Sequence, residues 1–323
     1  MSELKYLKKK IYLAGHSGMV GSAIKRCLEK SRYENIVYRS IDQLDLIRQE
    51  KVEEFINQEK PEIVIVAAAR VGGILANNTY RAQFIYDNLM IESNLIHSSF
   101  LNKVEKLIFL GSSCIYPKLA QQPLKEEYLL SDYLEYTNEP YAVAKITGIK
   151  LCENYYKQYG CNYYSIMPTN LYGPNDNFDL NTSHVLPALL RKFHEAKINK
   201  NSLVTIWGTG KPLREFMFVD DLAEGLCYLM ENIDAKDLYD NNLSFLNIGT
   251  GKDLTISALA NMISEIVGFK GEIVYDNSKP DGTPRKLLDV SRINELGWKA
   301  KTELRDGIKK TYEWFLNSGN YKS

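Results

Sequence analysis

The chain has 323 residues, enough for about two domains of ordinary size and a substantial buried core. Hydrophobic residues make up 45% and charged residues 25%, a balance that is usual for soluble globular proteins. Its 40 basic and 40 acidic side chains cancel, so no net field favours nucleic acid or an anionic membrane surface as a partner.

Targeting and redox features predict a cytoplasmic location. The amino terminus is basic, but its apolar run is a short strand that ends at glycine and lacks the length of a signal peptide. No segment approaches ~20 apolar residues, so we expect no membrane span. The five cysteines are scattered without CxxC spacing, which argues against structural disulfides and against a metal site.

The first half of the chain alternates strand and helix patterns. The strand segments are KKIYLA, NIVYRS, EIVIVAAA, KLIFLGSS and YYSIMPTN. The helical segments between them are SAIKRCLEKS, VEEFINQEK, FIYDNLMIESNLIHSSFLN and YAVAKITGIKLCENYYKQYG. The apolar, β-branched run EIVIVAAA is typical of a strand buried on both faces. This alternation predicts an α/β fold with a doubly wound parallel sheet of the Rossmann-like type.

The pattern changes after Asn170. A turn-rich segment, LYGPNDNFDLNTS, precedes the helix HVLPALLRKFHEA, the strand LVTIWG and the loops GTGKPLREF and KPDGTPRK. We predict a cofactor-binding domain over residues 1–170, to which 214–250 return. Residues 171–213 and 251–323 are predicted to form a smaller, discontinuous α/β substrate domain over the carboxyl ends of the sheet.

A glycine cluster joins the first strand to the first helix. Glycines at this spacing permit a tight turn, close approach of the backbone to a pyrophosphate and packing of the helix on the strand. A plain turn is the alternative, but the strand before the cluster and the helix after it favour a dinucleotide site. The predicted contacts are Gly15, Ser17, Gly18, Met19, Val20 and Gly21.

The end of the second strand bears on the choice of cofactor. A carboxylate near this point would suit the ribose hydroxyl of NAD, whereas a cation suits the 2′-phosphate of NADP. Arg39 therefore favours NADP(H), although a surface arginine is also common here. Asp45 and Leu46 could flank the adenine, and a helix N-cap explains Asp45 equally well.

The pair Tyr141 and Lys145 is the strongest local signal. At i and i+4 the two side chains share one helical face, downstream of the serines at 112 and 113. An ammonium beside a phenol stabilises the phenolate and lowers its pKa, which is ordinarily near ~10. Ser112 could hydrogen-bond the same substrate oxygen. This arrangement predicts proton transfer in the interconversion of a ketone and an alcohol beside a nicotinamide.

These motifs resemble those of the extended short-chain dehydrogenases/reductases, and the resemblance covers nearly the whole chain. The segments that carry it are GHSGMVGSA, AAARVGGILANN, LGSSCIYPK, NEPYAVAK, MPTNLYGPNDNF, SHVLPALLRKFHEA, WGTGKPLREF and KPDGTPRKLLDVSR. Within that family the match is to enzymes that act on GDP-4-keto-6-deoxy-D-mannose. These enzymes epimerise the sugar at C3 and C5 and then reduce it at C4 with NADPH. The resemblance also implies a homodimer with a four-helix interface, for which the helices at 82–101 and 141–158 are candidates.

The resemblance implies roles for individual residues. Ser112, Tyr141 and Lys145 match the reductive triad, and Cys114 and His184 match the base and acid of epimerisation. The further cofactor positions are Ala67, Ala68, Leu110, Gly111, Ser113, Lys145, Pro168, Asn170, Leu171 and His184. The substrate positions are Lys192, Trp207, Arg214 and Asp281.

Two departures from the family weaken the preference for NADP(H). Relatives often have arginine, which grips the 2′-phosphate, where Ser17 and Ile41 stand here. Arg39 is then the basic residue that the sequence still offers as a contact for the 2′-phosphate.

The chemistry supports two of these roles independently. A 4-keto group acidifies the hydrogens at C3 and C5, and inversion there needs a base on one face and an acid on the other. A thiol and an imidazole titrate near neutral pH after modest shifts. Each residue also has a structural alternative: Cys114 as inert core, His184 as a cap, Trp207 as core, and Arg214 as a partner of Glu215. His194 is predicted to be an exposed helical residue.

Three other functions compete. A plain C4 reductase of a related GDP-4-keto sugar, such as a 6-deoxy-heptose, would lack epimerisation. A 4,6-dehydratase is disfavoured, because that family has an Asp-Glu pair where Ser113 and Cys114 stand. A non-catalytic nucleotide-sensing protein on the same fold would commonly have lost the Tyr/Lys pair, which this chain keeps.

Overall fold

The computed structural model describes residues 4–180, 182–279 and 281–319. The strands are β1 (Lys10–Ala14), β2 (Asn35–Val37), β3 (Ile63–Val66), β4 (Lys106–Leu110), β5 (Tyr163–Pro168), β6 (Asn170–Tyr172), β7 (Leu203–Trp207), β8 (Leu213–Phe218), β9 (Leu246–Ile248), β10 (Asp253–Thr255), β11 (Glu272–Asp276) and β12 (Arg285–Lys286). The helices are α1 (Met19–Lys30), α2 (Gln49–Glu59), α3 (Ile74–Thr79), α4 (Arg81–Leu101), α5 (Glu139–Tyr159), α6 (Val185–Ile198), α7 (Val219–Asn232), α8 (Ala235–Tyr239), α9 (Ile256–Val267), α10 (Ser291–Glu295) and α11 (Leu304–Ser318).

Six parallel strands form the central sheet, in the order β2–β1–β3–β4–β5–β9. The chain order reverses between β1 and β3, so a crevice opens there at the carboxyl edge of the sheet, where ligands of such folds bind. The prediction of a doubly wound parallel sheet is confirmed.

Alternation along the strands explains why both faces are covered. In β1, Ile11 and Leu13 pack with helices α1 and α7, whereas Tyr12 and Ala14 pack with α2, α4 and α5. Successive side chains of a strand point to opposite faces, so an uninterrupted apolar strand requires a helical layer on each side.

A second unit surrounds its own core. Strands β10, β8 and β12 form a small sheet that β6 joins through β8, and β7 pairs with β11. Helices α6, α9 and α11 pack against these strands around Phe193, Leu259 and Phe315. His194 is buried in this unit and its Nδ1 lies 3.0 Å from the Tyr312 hydroxyl. The expectation that His194 is exposed is therefore wrong, because α6 is covered by α11 on that side.

The boundary between the two units differs from the sequence expectation in detail. Strand β8 pairs within the small sheet, although its Met217 belongs to the first core, and α7, α8 and β9 of the predicted returning segment join the central layers. Conversely, Ile293 and Trp298 belong to the first core although they lie in the second predicted segment. Helix α3 was not predicted. Pro280 of the predicted loop and the chain ends at 1–3 and 320–323 lie outside the described residues.

Among the described residues, no helix combines the length and apolarity that a bilayer crossing requires.

Candidate active site

The glycine-rich loop is shaped by contacts that exclude side chains. Gly15 has φ +88°, and a Cβ there would lie 2.6 Å from the backbone nitrogen of Ala68. A Cβ on Gly21 would lie 2.0 Å from the Gly15 carbonyl oxygen. Backbone therefore packs on backbone at both glycines, which leaves the face of the loop open to a ligand.

The start of α1 fits a phosphate group. Gly18 is the N-cap and provides no side-chain cap, so the first N–H groups of the helix keep their capacity to donate. The first turn of α1, which includes Met19 and Val20, contains no acidic residue. The close backbone packing of the glycine-rich loop and the first N–H groups of α1 together fit the pyrophosphate of a dinucleotide cofactor.

The remaining positions predicted for the cofactor lie at the carboxyl ends of the central strands. Ala67 and Ala68 follow β3, Leu110 ends β4 and Gly111 follows it, and Pro168 ends β5. Because the strands are parallel, these ends line one edge of the sheet. Ser113 is buried in the turn after β4, and Asn170 and Leu171 start β6.

The segment before α2 differs from one sequence interpretation. Helix α2 begins at Gln49 and its N-cap is Arg48, so Asp45 is not the cap. The Asp45 carboxylate instead accepts a hydrogen bond of 3.0 Å from the backbone of Ile47, inside its own turn. The neighbouring Leu46 carbonyl is held by Asn94 of α4.

Arg39, the basic candidate for the 2′-phosphate, is already engaged. Its Nη2 lies 2.5 Å from Glu59 Oε1, and its guanidinium lies over the Phe55 ring. Its Nη1 donates to the Tyr38 carbonyl. Arg39 therefore has a fixed position after the end of β2, and the Glu59 carboxylate competes with any phosphate for its guanidinium.

Ser112, Cys114 and Tyr141 meet at the end of β4. Ser112 has an extended backbone and precedes the single turn Ser113–Ile115, which places Cys114 back over the strand end. The Ser112 hydroxyl lies beside both the Tyr141 phenol and the Cys114 thiol and acts to lower the pKa of each. One hydroxyl thus joins the predicted proton donor and the predicted base.

Tyr141 has the opposite pKa shift from the one expected. Burial raises its pKa well above the ordinary value, Cys114 and Glu92 act in the same direction, and the Ser112 hydrogen bond opposes them. Burial outweighs the hydrogen bond because Tyr141 is surrounded by protein, although it keeps some accessible surface in the cleft. The phenol is therefore protonated, which is the form that can donate a proton.

Lys145 lies one helical turn behind Tyr141. Its Nζ is 5.8 Å from the Tyr141 ring centre and donates a hydrogen bond of 3.2 Å to the Leu110 carbonyl. Burial lowers its pKa, and Glu92 and Cys114 act in the opposite direction. The predicted triad is thus assembled, with the lysine fixed between α5 and β4.

His184 and Cys114 share a cationic neighbour that the sequence did not single out. His184 is the N-cap of α6 and keeps accessible surface, while the protein around its imidazole and the charge of Lys286 both lower its pKa. Burial raises the pKa of Cys114, and Lys286 opposes that rise. A single ammonium therefore acts on both the predicted acid and the predicted base.

The pairing of strands explains how Lys286 reaches the site. Strand β12 pairs in parallel with β8, and Lys286 is in register with Arg214. The pairing connects a loop rich in proline and glycine to a strand more than 70 positions earlier in the sequence. Only a long-range β-bridge brings these residues together, so no local pattern could reveal it.

The predicted substrate residues form a separate cluster in the second unit. Lys192 Nζ lies 5.3 Å from the Trp207 ring centre, and Trp207 is 56% exposed, so it is not a core residue. The Asp281 carboxylate accepts hydrogen bonds of 2.7 and 2.8 Å from the backbone and hydroxyl of Thr209. Arg214 donates to the Leu213 carbonyl and interacts with Asp281.

Loops of the second unit also touch the cofactor edge. Asn175 Nδ2 donates a hydrogen bond of 2.7 Å to the Ser17 carbonyl of the glycine-rich loop. The Gly73 amide donates to the Thr182 carbonyl at 2.9 Å, beside the segment that leads to His184. These two contacts join the second unit to the cofactor edge.

Comparison with known proteins identifies the group to which these features belong. The model of the NAD dependent epimerase/dehydratase family matches residues 11–249. A GDP-L-fucose synthase of Escherichia coli (strain K12) is 55% identical over 315 residues, which are 96% of this chain and 98% of that protein.

Solved structures of similar proteins include heptose enzymes. A GDP-6-OMe-4-keto-L-xylo-heptose reductase from C. jejuni has a TM-score of 0.93 and 44% identity, covering 98% of this chain and 100% of that one. The GDP-mannoheptose C4 reductase MlghC from Campylobacter jejuni, with NADP bound, has a TM-score of 0.88 and 46% identity, covering 96% and 99%.

Proposed function

The chain belongs to the NAD dependent epimerase/dehydratase family, and on that premise we propose that it converts GDP-4-keto-6-deoxy-D-mannose to GDP-L-fucose with NADPH. The observation that carries the proposal is the convergence of Ser112, Cys114, Tyr141 and Lys145 at the end of β4. The resemblance to the fucose synthase over nearly the full length of both chains supports this substrate.

In the first stage the proposed base is Cys114 and the proposed acid is His184. The thiolate removes the proton at C3 or C5, and Ser112 and Tyr141 hold the oxygen of the resulting enolate. The imidazolium form of His184 then gives a proton to the opposite face of the same carbon, which inverts that carbon and leaves a neutral imidazole. Lys286 assists ionisation of the thiol, because it opposes the rise in the pKa of Cys114.

In the second stage the ketone is reduced. NADPH, when bound, supplies the hydride that C4 receives. Tyr141 gives its phenolic proton to the C4 oxygen, so the carbonyl becomes a hydroxyl. Lys145 stabilises the phenolate that Tyr141 becomes, and Ser112 holds the oxygen in place during the transfer.

The nucleotide is proposed to bind in the second unit. The exposed Trp207 ring offers a face for stacking of a base, and Lys192 and Arg214 offer positive charge to a diphosphate. Thr209 holds the Asp281 carboxylate in place. Asp281 is exposed, so its oxygens can accept hydrogen bonds from ribose hydroxyls or from N–H groups of the base. We accordingly assign the cofactor to the predicted domain of residues 1–170 and the GDP-sugar to the later segments.

We also propose a cytoplasmic homodimer. Helices α4 and α5 pack side by side and expose apolar side chains away from the central sheet, at Tyr86, Leu101, Val143 and Tyr159. A second copy of the chain, applied with two-fold symmetry, would cover the same face on both partners. The five cysteines are free thiols, as expected in a reducing compartment.

A second candidate is C4 reduction of a related GDP-4-keto-heptose without epimerisation. The similarity to the two Campylobacter reductases supports it. The proton-donor site is compatible with either sugar, and the two functions differ in whether Cys114 and His184 exchange protons at C3 and C5.

One experiment separates these functions. The protein is incubated with NADPH and GDP-4-keto-6-deoxy-D-mannose in deuterated water, and the product is analysed by NMR. Deuterium at C3 and C5 with the configuration of L-fucose is the expected result. Reduction without deuterium at these carbons would reject the epimerase and favour the heptose alternative, which the same assay with a 4-keto-heptose substrate would test.

A further inference from the structure

A carboxyl group that the proposed reaction does not use lies behind the active site. Glu92 of α4 is 1% exposed. Within the described residues, neither of its side-chain oxygens has a hydrogen-bond partner. Burial of a carboxylate without a partner is costly, and a buried ionisable group of this kind needs a physical explanation.

Gly148 allows this carboxyl group to approach helix α5. A Cβ on Gly148 would lie 2.1 Å from Glu92 Oε2 and 2.4 Å from Cζ of Phe109. The carboxylate oxygen and the edge of the aromatic ring are therefore neighbours at one point. Gly148 is three residues after Lys145, so that point and the lysine lie on the same side of α5.

The Phe109 ring lies between the carboxyl group and the lysine. Its edge, at Cζ, adjoins Glu92, and its face lies under the Lys145 ammonium, 4.6 Å from the ring centre. An aromatic ring is electropositive at its edge and electronegative on its faces. An anion at the edge and a cation over the face are thus both in their favourable positions.

The surrounding groups make the charge of this pair depend on pH. Burial raises the pKa of Glu92 to about 7, and Lys145 opposes the rise. Besides Lys145, helix α5 contributes Tyr141 and Cys152, whose pKa values Glu92 raises. Cys114, after β4, is the other group that acts on Lys145.

We propose that Glu92 is a positioning residue for the reduction, which acts through the Phe109 ring to keep Lys145 protonated while Tyr141 delivers its proton. The inference rests on the proposed function only for the roles of Tyr141 and Lys145. The carboxylate form predominates above about pH 7, so its support of the ammonium is present in that range and is lost as the pH falls.

The direct test measures Lys145 in the protein without cofactor or substrate. The 13Cε resonance of Lys145, assigned with the Lys145→Arg variant, is followed against pH in the wild type and in Glu92→Gln. We expect the pKa of Lys145 to fall by about 1 unit in the variant, which is the low end of the shift that a nearby opposite charge produces. An unchanged titration would overturn the proposal.

Glu153→Gln is the matched control on helix α5. Glu153 is 9% exposed and is bound by Lys150, Lys157 and Ser244, away from Lys145. Its loss should lower stability and leave the titration of Lys145 unchanged. A shift in the control as large as that in Glu92→Gln would mean that general loosening, rather than the Glu92 charge, moves Lys145, and would overturn the proposal.

A reciprocal measurement covers the case in which Glu92→Gln does not fold. The 13Cδ resonance of Glu92 is titrated in the wild type and in Lys145→Met, and the pKa of Glu92 should rise when the ammonium is removed. No rise would refute the coupling.

The activity profile gives a separate readout. In Glu92→Gln the fall of NADPH oxidation at alkaline pH should begin about 1 pH unit lower than in the wild type. A variant profile that superimposes on that of the wild type would contradict the role in reduction. If the wild type reduces no GDP-sugar at all, the proposed function fails, while the two titrations still decide whether Glu92 and Lys145 are coupled.

Discussion

Arg39 and Glu59 form an ion pair at the carboxyl end of β2, with 2.5 Å between Nη2 and Oε1. The pair holds the guanidinium over the Phe55 ring. Since Ser17 and Ile41 carry no charge, we expect the NADPH preference to depend on Arg39, which Glu59 already partly neutralises. Discrimination against NADH should therefore be moderate.

Arg39→Ala should weaken binding of NADPH by about 10-fold and leave NADH binding nearly unchanged, because one charge-assisted hydrogen bond to a phosphate is lost. Titration of protein fluorescence with each cofactor measures this. Arg305→Ala, which removes a comparable surface ion pair with Glu265, is the control and should affect neither cofactor. Equal weakening of NADPH and NADH would show that Arg39 does not recognise the 2′-phosphate.

Tyr141→Phe should lower the rate of NADPH oxidation by about 100-fold or more, because Tyr141 is the proposed proton donor to the ketone oxygen. Tyr156→Phe is the control on the same helix, since its hydroxyl contacts Asp240 far from the site. Deuterium exchange at C3 and C5 should persist in Tyr141→Phe at a reduced rate, because Ser112 still holds the enolate oxygen. Unchanged NADPH turnover would remove Tyr141 from the reaction.

The fold was predictable because its signals are local. Uninterrupted apolar strands such as Ile63–Val66 require cover on both faces, and glycines such as Gly15 mark the turn at the cofactor edge. The Tyr141 and Lys145 pair is also local, since one helix places both side chains. Each of these features follows from the geometry of a single element.

Two other features of the site depend on contacts that are distant in sequence. Lys286 reaches Cys114 only through the pairing of β12 with β8, and Glu92 reaches Lys145 only because Gly148 lets two helices approach. The upward shift in the pKa of Tyr141 likewise depends on burial in the folded cleft, which no spacing of residues predicts.

Cys114→Ser should separate the two stages of the proposed reaction. A serine hydroxyl keeps the size of the side chain but is a much weaker acid, so little of the basic form is available at neutral pH. Exchange at C3 and C5 should fall by about 100-fold or more, whereas reduction of an already epimerised ketone should persist. Cys161→Ser, a partly exposed thiol in another part of the chain, is the control. Full exchange in Cys114→Ser would exclude the thiol as the base.

Lys286→Met should move the pH profile of deuterium exchange upward by about 1 unit. Lys286 lowers the pKa of both Cys114 and His184, so its loss raises both. The Cys114 thiolate then forms at higher pH, and the His184 imidazolium persists to higher pH. Both limbs of the pH profile of exchange therefore move upward. Lys252→Met, at an exposed ion pair with Glu303, provides the control. Movement of one limb alone would show that Lys286 acts on only one of the two groups.

Tyr86→Glu combined with Tyr159→Glu should convert the proposed dimer into a monomer. The two side chains are 56% and 53% exposed on α4 and α5, where a symmetric partner would bury them. Burial of two carboxylates from each subunit without partners would cost more than the apolar contact of the interface provides. Light scattering coupled to size exclusion measures the mass, and Tyr133→Glu, at a side chain that is 90% exposed outside these helices, should leave the mass unchanged. A wild type that already elutes as a monomer would reject the four-helix interface, and a double variant that remains dimeric would place the interface on another surface.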